Sequence, residues 1–295
     1  MHRGTHLAVI TDPLFVEHAP PGFHPERPQR LAAAQAGAER VQLPEVARVR
    51  VAPREATVDE LARAHDPSWL ELLGCKLAAP SGYLDADTYY NAHTAQAARL
   101  AAGSACAMVE SLLAGETDLG VLLARPPGHH ATRTRAMGFC VLNNVAVAAA
   151  HALARGARRV AIVDWDVHHG NGTQDIFFDN PAVLFVSLHE SPLYPDTGYV
   201  HEVGGGDARG RTVNLPLPAG SDGGSYALAF ERVVLPILKS FAPDLVLISA
   251  GYDAHQRDPL ANMQLDDGDY GWMAAKVRDV ARATANGRVG VLLEG

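Results

Sequence analysis

Six apolar runs of strand length constrain this chain most: Leu7–Ile10, Leu119–Leu123, Val160–Val163, Val183–Leu188, Leu245–Ser249 and Val289–Leu293. Most are apolar at consecutive positions, so both faces of each strand need cover, as in a parallel sheet packed between helices. The stretches Tyr89–Glu116, Val141–Arg155, Ser225–Phe241 and Asp269–Ala285 carry helical patterns, and "TVDE" at Thr57–Glu60 fits a capping box. Strands alternating with helices predict an α/β fold built on a doubly wound parallel sheet. With 295 residues, 47% of them hydrophobic, the chain can fill one core of that size. No repeat, linker or shift in composition divides it, so residues 1–295 are expected to form one domain.

Charge and cysteine usage narrow the function. The net charge is −8 and no Lys/Arg cluster stands out, which disfavours direct nucleic-acid contact and mildly favours cationic partners. No window reads as a membrane span, and the N-terminus lacks a secretory cleavage pattern, so no membrane association is expected. Cys75, Cys106 and Cys140 are too scattered for a disulfide framework, which predicts a reducing, cytoplasmic setting. Oligomeric state stays open.

Polar residues crowd the ends of three of the strands. In "VAIVDWDVHHGNGTQ", Asp164, Asp166 and His168 alternate along the chain and so share one side where the strand leaves the sheet. The strand Leu245–Ser249 runs into Gly251, Tyr252 and Asp253, and Leu119–Leu123 runs into "ARPPGHHA" with the pair His129–His130. Ligands of open α/β sheets collect beyond the carboxyl ends of strands. Two carboxylates and an imidazole suit a dication such as Zn²⁺ or Fe²⁺, which would also offset the cost of burying the carboxylates. Each residue taken singly fits a structural role as well; the convergence of three clusters is what points to a site.

"HPERPQRL", "LDADT", "RPPGHHA", "GFCVLNN", "VDWDVHHGNGTQ" and "SAGYDAHQRDPL" together resemble the zinc-dependent histone deacetylase family, on its class II-like, bacterial amidohydrolase side. The resemblance implies the arginase/deacetylase fold: a three-layer αβα domain around a mostly parallel sheet of about eight strands. It implies Asp166, His168 and Asp253 as metal ligands, with His129 and His130 as the catalytic pair. Asp164 would hold His129. Asn171 stands where class I relatives carry an aspartate, leaving His130 less firmly cationic. The implied chemistry is hydrolysis of an N-acyl amide by a metal-activated water, with His130 as main base and His129 acting electrostatically. Gly138, Phe139 and Tyr194 would line an acyl-lysine tunnel, with Asp87 or Asp85 at its rim. Cys140 reads as a small buried residue rather than a nucleophile. A structural K⁺ would take Asp164, Asp166, His168, Ser187 and Leu188.

Relatives usually carry a tyrosine in a Gly-rich turn after the last core strand, where it supports the oxyanion. Here the sequence stops at "GRVGVLLEG", so the expectation is a fragment lacking that tyrosine. The leading reading is a deacylase of acyl-lysine or a similar amine. Alternatives are an acetylpolyamine amidohydrolase and, from another class, a catalytically weak protein on the same scaffold that binds an acyl ligand or a partner.

Overall fold

The computed structural model describes residues 5–41 and 45–295. Among them are ten strands: β1 (Thr5–Ile10), β2 (Val46–Arg48), β3 (Ser81–Tyr83), β4 (Tyr89–Asn91), β5 (Leu119–Leu122), β6 (Val160–Asp164), β7 (Val183–Glu190), β8 (Thr212–Leu217), β9 (Leu245–Ala250) and β10 (Val289–Leu293). Eight form one sheet in the order β2-β1-β5-β10-β9-β6-β7-β8, and every pairing in it is parallel. All the carboxyl ends therefore emerge at one edge. Strands β3 and β4 pair apart, antiparallel.

The doubly apolar runs sit where two-sided cover is available. Every residue of β6, β7 and β9 is buried. Strand alternation divides them between layers: Ile162, Phe185 and Leu247 pack into one apolar core, and Val163, Val186 and Ile248 into the other. Helices Thr94–Ala114 and Asn144–Ala154 cover the first face, and the helical stretches Gly223–Phe241 and Asp267–Thr284 the second. Full burial of each such side chain is worth roughly 1.5–3 kcal/mol, so the sheet's centre holds the fold. This is the mostly parallel, helix-flanked sheet of eight strands expected from the sequence.

Helix ends follow local chemistry more closely than apolar pattern. Tyr89–Asn91, expected as helix, is strand β4: the Asn91 side chain accepts from His93 N, and the helix starts only at Thr94. That helix ends at Gly115 in the left-handed conformation. Asn143 caps the next helix by accepting from Ala146 N, and Asp266 with Asp269 forms a capping box on the last one. The Thr57–Glu60 box is present as expected. Within Gly223–Phe241 a π turn spans Phe230–Val234, just ahead of Pro236, which cannot donate to the carbonyl of Arg232.

One expectation needs correction. Thr94–Ala114, 21 residues with a mean hydropathy of 1.3, is by length and composition apolar enough to cross a membrane. Here 72% of its apolar window is buried inside the fold, which makes it a core helix covering the sheet.

Candidate active site

Strand β6 stops at Asp164, so alternation alone does not gather the acidic cluster. Beyond it the chain turns on its own side chains: Asp164 Oδ1 accepts from Asp166 N at 3.1 Å, and Asp166 Oδ1 from His168 N at 2.9 Å. Asp253, past the end of neighbouring β9, accepts from Val167 N through Oδ1 at 2.9 Å and points Oδ2 at His168. His168 Nδ1 then lies 3.1 Å from Asp166 Oδ1 and 3.0 Å from Asp253 Oδ2. The ligand atoms of Asp166, His168 and Asp253 are all within 4.8 Å of one another. Gly295 N donates to Asp166 Oδ2 at 2.7 Å, an approach only glycine permits, since a Cβ there would stand 2.4 Å from oxygens of both aspartates.

The electrostatics of this trio call for a cation. Burial and the neighbouring Asp166 push the Asp253 carboxyl up to about 6. Burial also disfavours a charged His168, yet hydrogen bonds to both aspartates outweigh it and raise the imidazole to about 10. His168 Nδ1 thus faces two carboxylate oxygens at the point where the three ligand atoms converge. Two carboxylate oxygens and one imidazole nitrogen fit zinc or iron, with room for further ligands.

Above the trio stand the two histidines. His129 Nδ1 donates to Asp164 Oδ2 at 2.9 Å, and His130 Nδ1 lies 2.7 Å from Asn171 Oδ1. Asn171 Nδ2 faces two acceptors, His130 O and Met137 Sδ, each at 3.5 Å, which assigns Oδ1 as the acceptor and His130 Nδ1 as the donor. Burial opposes charge on both rings. For His129 the Asp164 and Asp166 carboxylates prevail and hold it well above the ordinary imidazole value. For His130 burial wins, reinforced by the positive His129 and His168, and keeps it well below. One ring is held charged and the other neutral.

Of the expected tunnel residues, Gly138 and Tyr194 meet His130, and Phe139 meets His24. Gly138 (φ +56°) packs against His130, where a Cβ would come within 2.5 Å of the ring. Phe139 is also left-handed (φ +67°), donates its N–H to Thr88 Oγ1 at 3.0 Å, and meets His24 edge to face. The Tyr194 ring is 38% exposed and stands edge-on to His130 at 5.2 Å. In the turn between β3 and β4, Asp85 Oδ1 accepts from Asp87 N and Thr88 N, while Asp87 reaches Thr88 Oγ1 and its carbonyl meets His24. Ser187 pairs in register with Asp164 across β6 and β7, and Leu188 follows, buried. Cys140 is buried with its thiol pushed well up, foremost by that burial.

Two buried groups escaped the sequence reading. Glu294 Oε2 accepts from Gly128 N at 2.6 Å and His129 N at 3.1 Å, bracing the turn that carries the histidine pair. Arg125, at the other end of that turn, is fully buried and forks onto Glu26, with Tyr89 and the carbonyls of Phe15 and His18 completing its shell. The sequence signal for both was a charged residue next to an apolar run.

A second cluster, Glu60, Cys106 and His151, also brings ligand atoms within 4.8 Å. Its polar atoms are otherwise engaged: Arg54 forks onto Glu60, Arg63 donates to His151 Nδ1, and Glu110 takes Nε2. Burial pushes the Cys106 thiol up to about 12. Two arginines balance two glutamates, so this is a neutral ion-pair network.

Known proteins match this arrangement. The histone deacetylase domain family matches residues 24–295. The histone deacetylase-like amidohydrolase of Pseudomonas aeruginosa is 43% identical over 84% of this chain and 65% of its own length. The human polyamine deacetylase HDAC10 is 41% identical over 92% of this chain and 42% of its own. The crystal structure of the HDA15 HD domain superposes with a TM-score of 0.89 at 39% identity, covering 99% of this chain and 83% of that one. Together with the sheet and the site it carries, these matches establish that the chain belongs to the histone deacetylase family of hydrolases.

Proposed function

We propose that residues 1–295 form one catalytic domain that removes acetyl or related acyl groups from lysine side chains or similar amines. The observation that carries this reading is the meeting of Asp166, His168 and Asp253 at one point beneath His129 and His130. These three side chains would hold zinc or iron, which when bound supplies the Lewis acidity that polarises an amide carbonyl and acidifies a water.

The protein's own groups do the rest. His130, its Nδ1–H given to Asn171, presents the Nε2 lone pair as general base and later returns that proton to the departing amine. His129, held cationic by Asp164, stabilises negative charge developing on the carbonyl oxygen. Phe139 and Tyr194 would clasp the alkyl chain of the substrate and exclude water, with Gly138 leaving room beside His130 and Asp87 or Asp85 at the rim. Asp164, Asp166, His168, Ser187 and Leu188 would seat a K⁺ under the site, a reading supported by the Asp164–Ser187 register. A cytoplasmic setting is supported by three free cysteines.

The test is turnover of an acetyl-lysine peptide by zinc-loaded protein, beside an Asp253→Asn variant. Release of acetate that disappears in the variant supports the reading. Tight peptide binding without turnover would replace it with the acyl-ligand binder. A second substrate class, acetylated polyamines, is favoured by the net charge of −8 and by similarity to a polyamine deacetylase. Comparing kcat/KM for acetylspermidine and the peptide separates the two.

A further inference from the structure

Strand β10 lies between β5 and β9, so its carboxyl end falls between the turn carrying His129 and the segment carrying Asp253. Leu292 pairs with Ser249 and Leu293 with Ala250, which delivers the Glu294 carboxyl into the buried space under that turn. Oε2 accepts both Gly128 N and His129 N, and Oε1 accepts from Ser249 Oγ at 3.2 Å. Among the described residues no arginine or lysine side chain bonds to the carboxyl, and burial pushes it up to about 7. Burying a carboxyl is costly, and the bonds from Gly128 N, His129 N and Ser249 Oγ, with the cationic His129 nearby, offset that cost.

The rest of the turn is pinned in concert. Gly172 N and Thr173 N donate to the carbonyl of His129 at 3.0 and 3.2 Å, so the backbone of His129 is held from both sides. Arg30 Nη2 donates to the carbonyl of Glu294 at 2.6 Å, and Arg30 Nη1 lies 3.6 Å from Glu26, the residue that grips Arg125. Residues 125 to 129 are thus fixed at each end, and Arg30 touches both anchors.

Building on the hydrolase reading above, we infer that Glu294 is a positioning residue: its Oε2, as acceptor for two successive backbone N–H groups, aims the His129–His130 pair at the reacting carbonyl. Among the described residues its side chain bonds to Gly128 N, His129 N and Ser249 Oγ and to none of Asp166, His168 and Asp253. The oxygen acceptor in that place positions the pair, and the carboxyl's charge adds only the last of the contributions that favour a cationic His129.

The experiment compares Glu294→Met and Glu294→Gln in zinc-loaded protein, reading kcat and KM on an acetyl-lysine peptide together with zinc content. Misaimed catalytic groups commonly cost on the order of 10²-fold, so Glu294→Met should lower kcat by roughly 10- to 100-fold with KM and zinc content unchanged. Glu294→Gln restores the acceptor, since its Oε1 takes both N–H groups while its Nε2 donates to Ser249 Oγ, and kcat should return to near the original value. Wild-type kcat in Glu294→Met, or a Gln variant as impaired as Met, overturns the inference. Amide exchange of Gly128 and His129 in metal-free protein is the second readout, slow in the original and Gln forms and fast in Met. If Met fails to fold, fast exchange of these amides in the folded original protein still overturns the inference. If the original protein hydrolyses nothing, the hydrolase reading falls by itself, and the amides decide the role of Glu294.

Discussion

The Nδ1 of His130 is bound to the neutral amide of Asn171 at 2.7 Å, whereas the adjacent His129 is bound to the carboxylate of Asp164 at 2.9 Å. Adjacent imidazoles, packed with ring centroids 4.0 Å apart, therefore receive opposite instructions about their protons. Nearby cationic rings also discourage a second charge on His130. Division of labour between the two follows from the identity of their partners.

Asn171→Asp should move the acidic limb of the rate profile. His130 must be unprotonated to act as base, so activity is full above its depressed pKa and is lost as pH falls through it. A carboxylate at Asn171 favours the charged ring and raises that pKa, by about 1 unit or more. The pH dependence of kcat/KM should shift its acidic limb upward, with the alkaline side little changed. An unmoved limb would remove His130 from the base role.

Gly138→Ala tests the packing behind His130. The added methyl would meet the ring at 2.5 Å, at a φ of +56° that side chains rarely adopt. Strain of this kind costs about 1–3 kcal/mol, read as a lowered urea midpoint, and displacement of His130 should lower kcat at least tenfold as well, by the sensitivity of catalysis to small misplacements. Wild-type kcat would show that the ring tolerates displacement.

Arg125→Met leaves Glu26 buried without its fork. Breaking a buried pair by removing one partner costs roughly 3–5 kcal/mol, measurable by equilibrium unfolding in urea. Glu26→Gln with Arg125→Met, which removes both charges, should recover much of that loss. If the double variant is no more stable than the single, the two side chains do not act as a pair.

The site was legible where chemistry and sequence order coincide. Asp166, His168, Asp253 and the histidine pair follow apolar runs, and a parallel sheet brings all such ends to one edge. Asn171 was legible only through the family resemblance, since nothing in the local pattern marks it as a partner of His130. Glu294 was hidden because its role depends on β10 lying between β5 and β9, an order that no local pattern encodes. Arg125 was hidden for a similar reason: its partner Glu26 is 99 residues away, and a charged residue beside a proline turn reads as surface. Strand β8, "TVNLPL", escaped because Pro216 and Asn214 break its pattern, as an edge strand tolerates. Alternation is expected to put Asp164, Asp166 and His168 on one side, but the strand ends at the first of them; side-chain-closed turns, not the pleat, bring them together.

Anomalous diffraction at the zinc edge, on crystals grown with zinc, tests the central claim most directly. A single strong peak within bonding distance of Asp166, His168 and Asp253, lost on treatment with a chelator together with peptide hydrolysis, is the predicted result. No peak between those side chains, or zinc lodged instead at Glu60, Cys106 and His151, would contradict it.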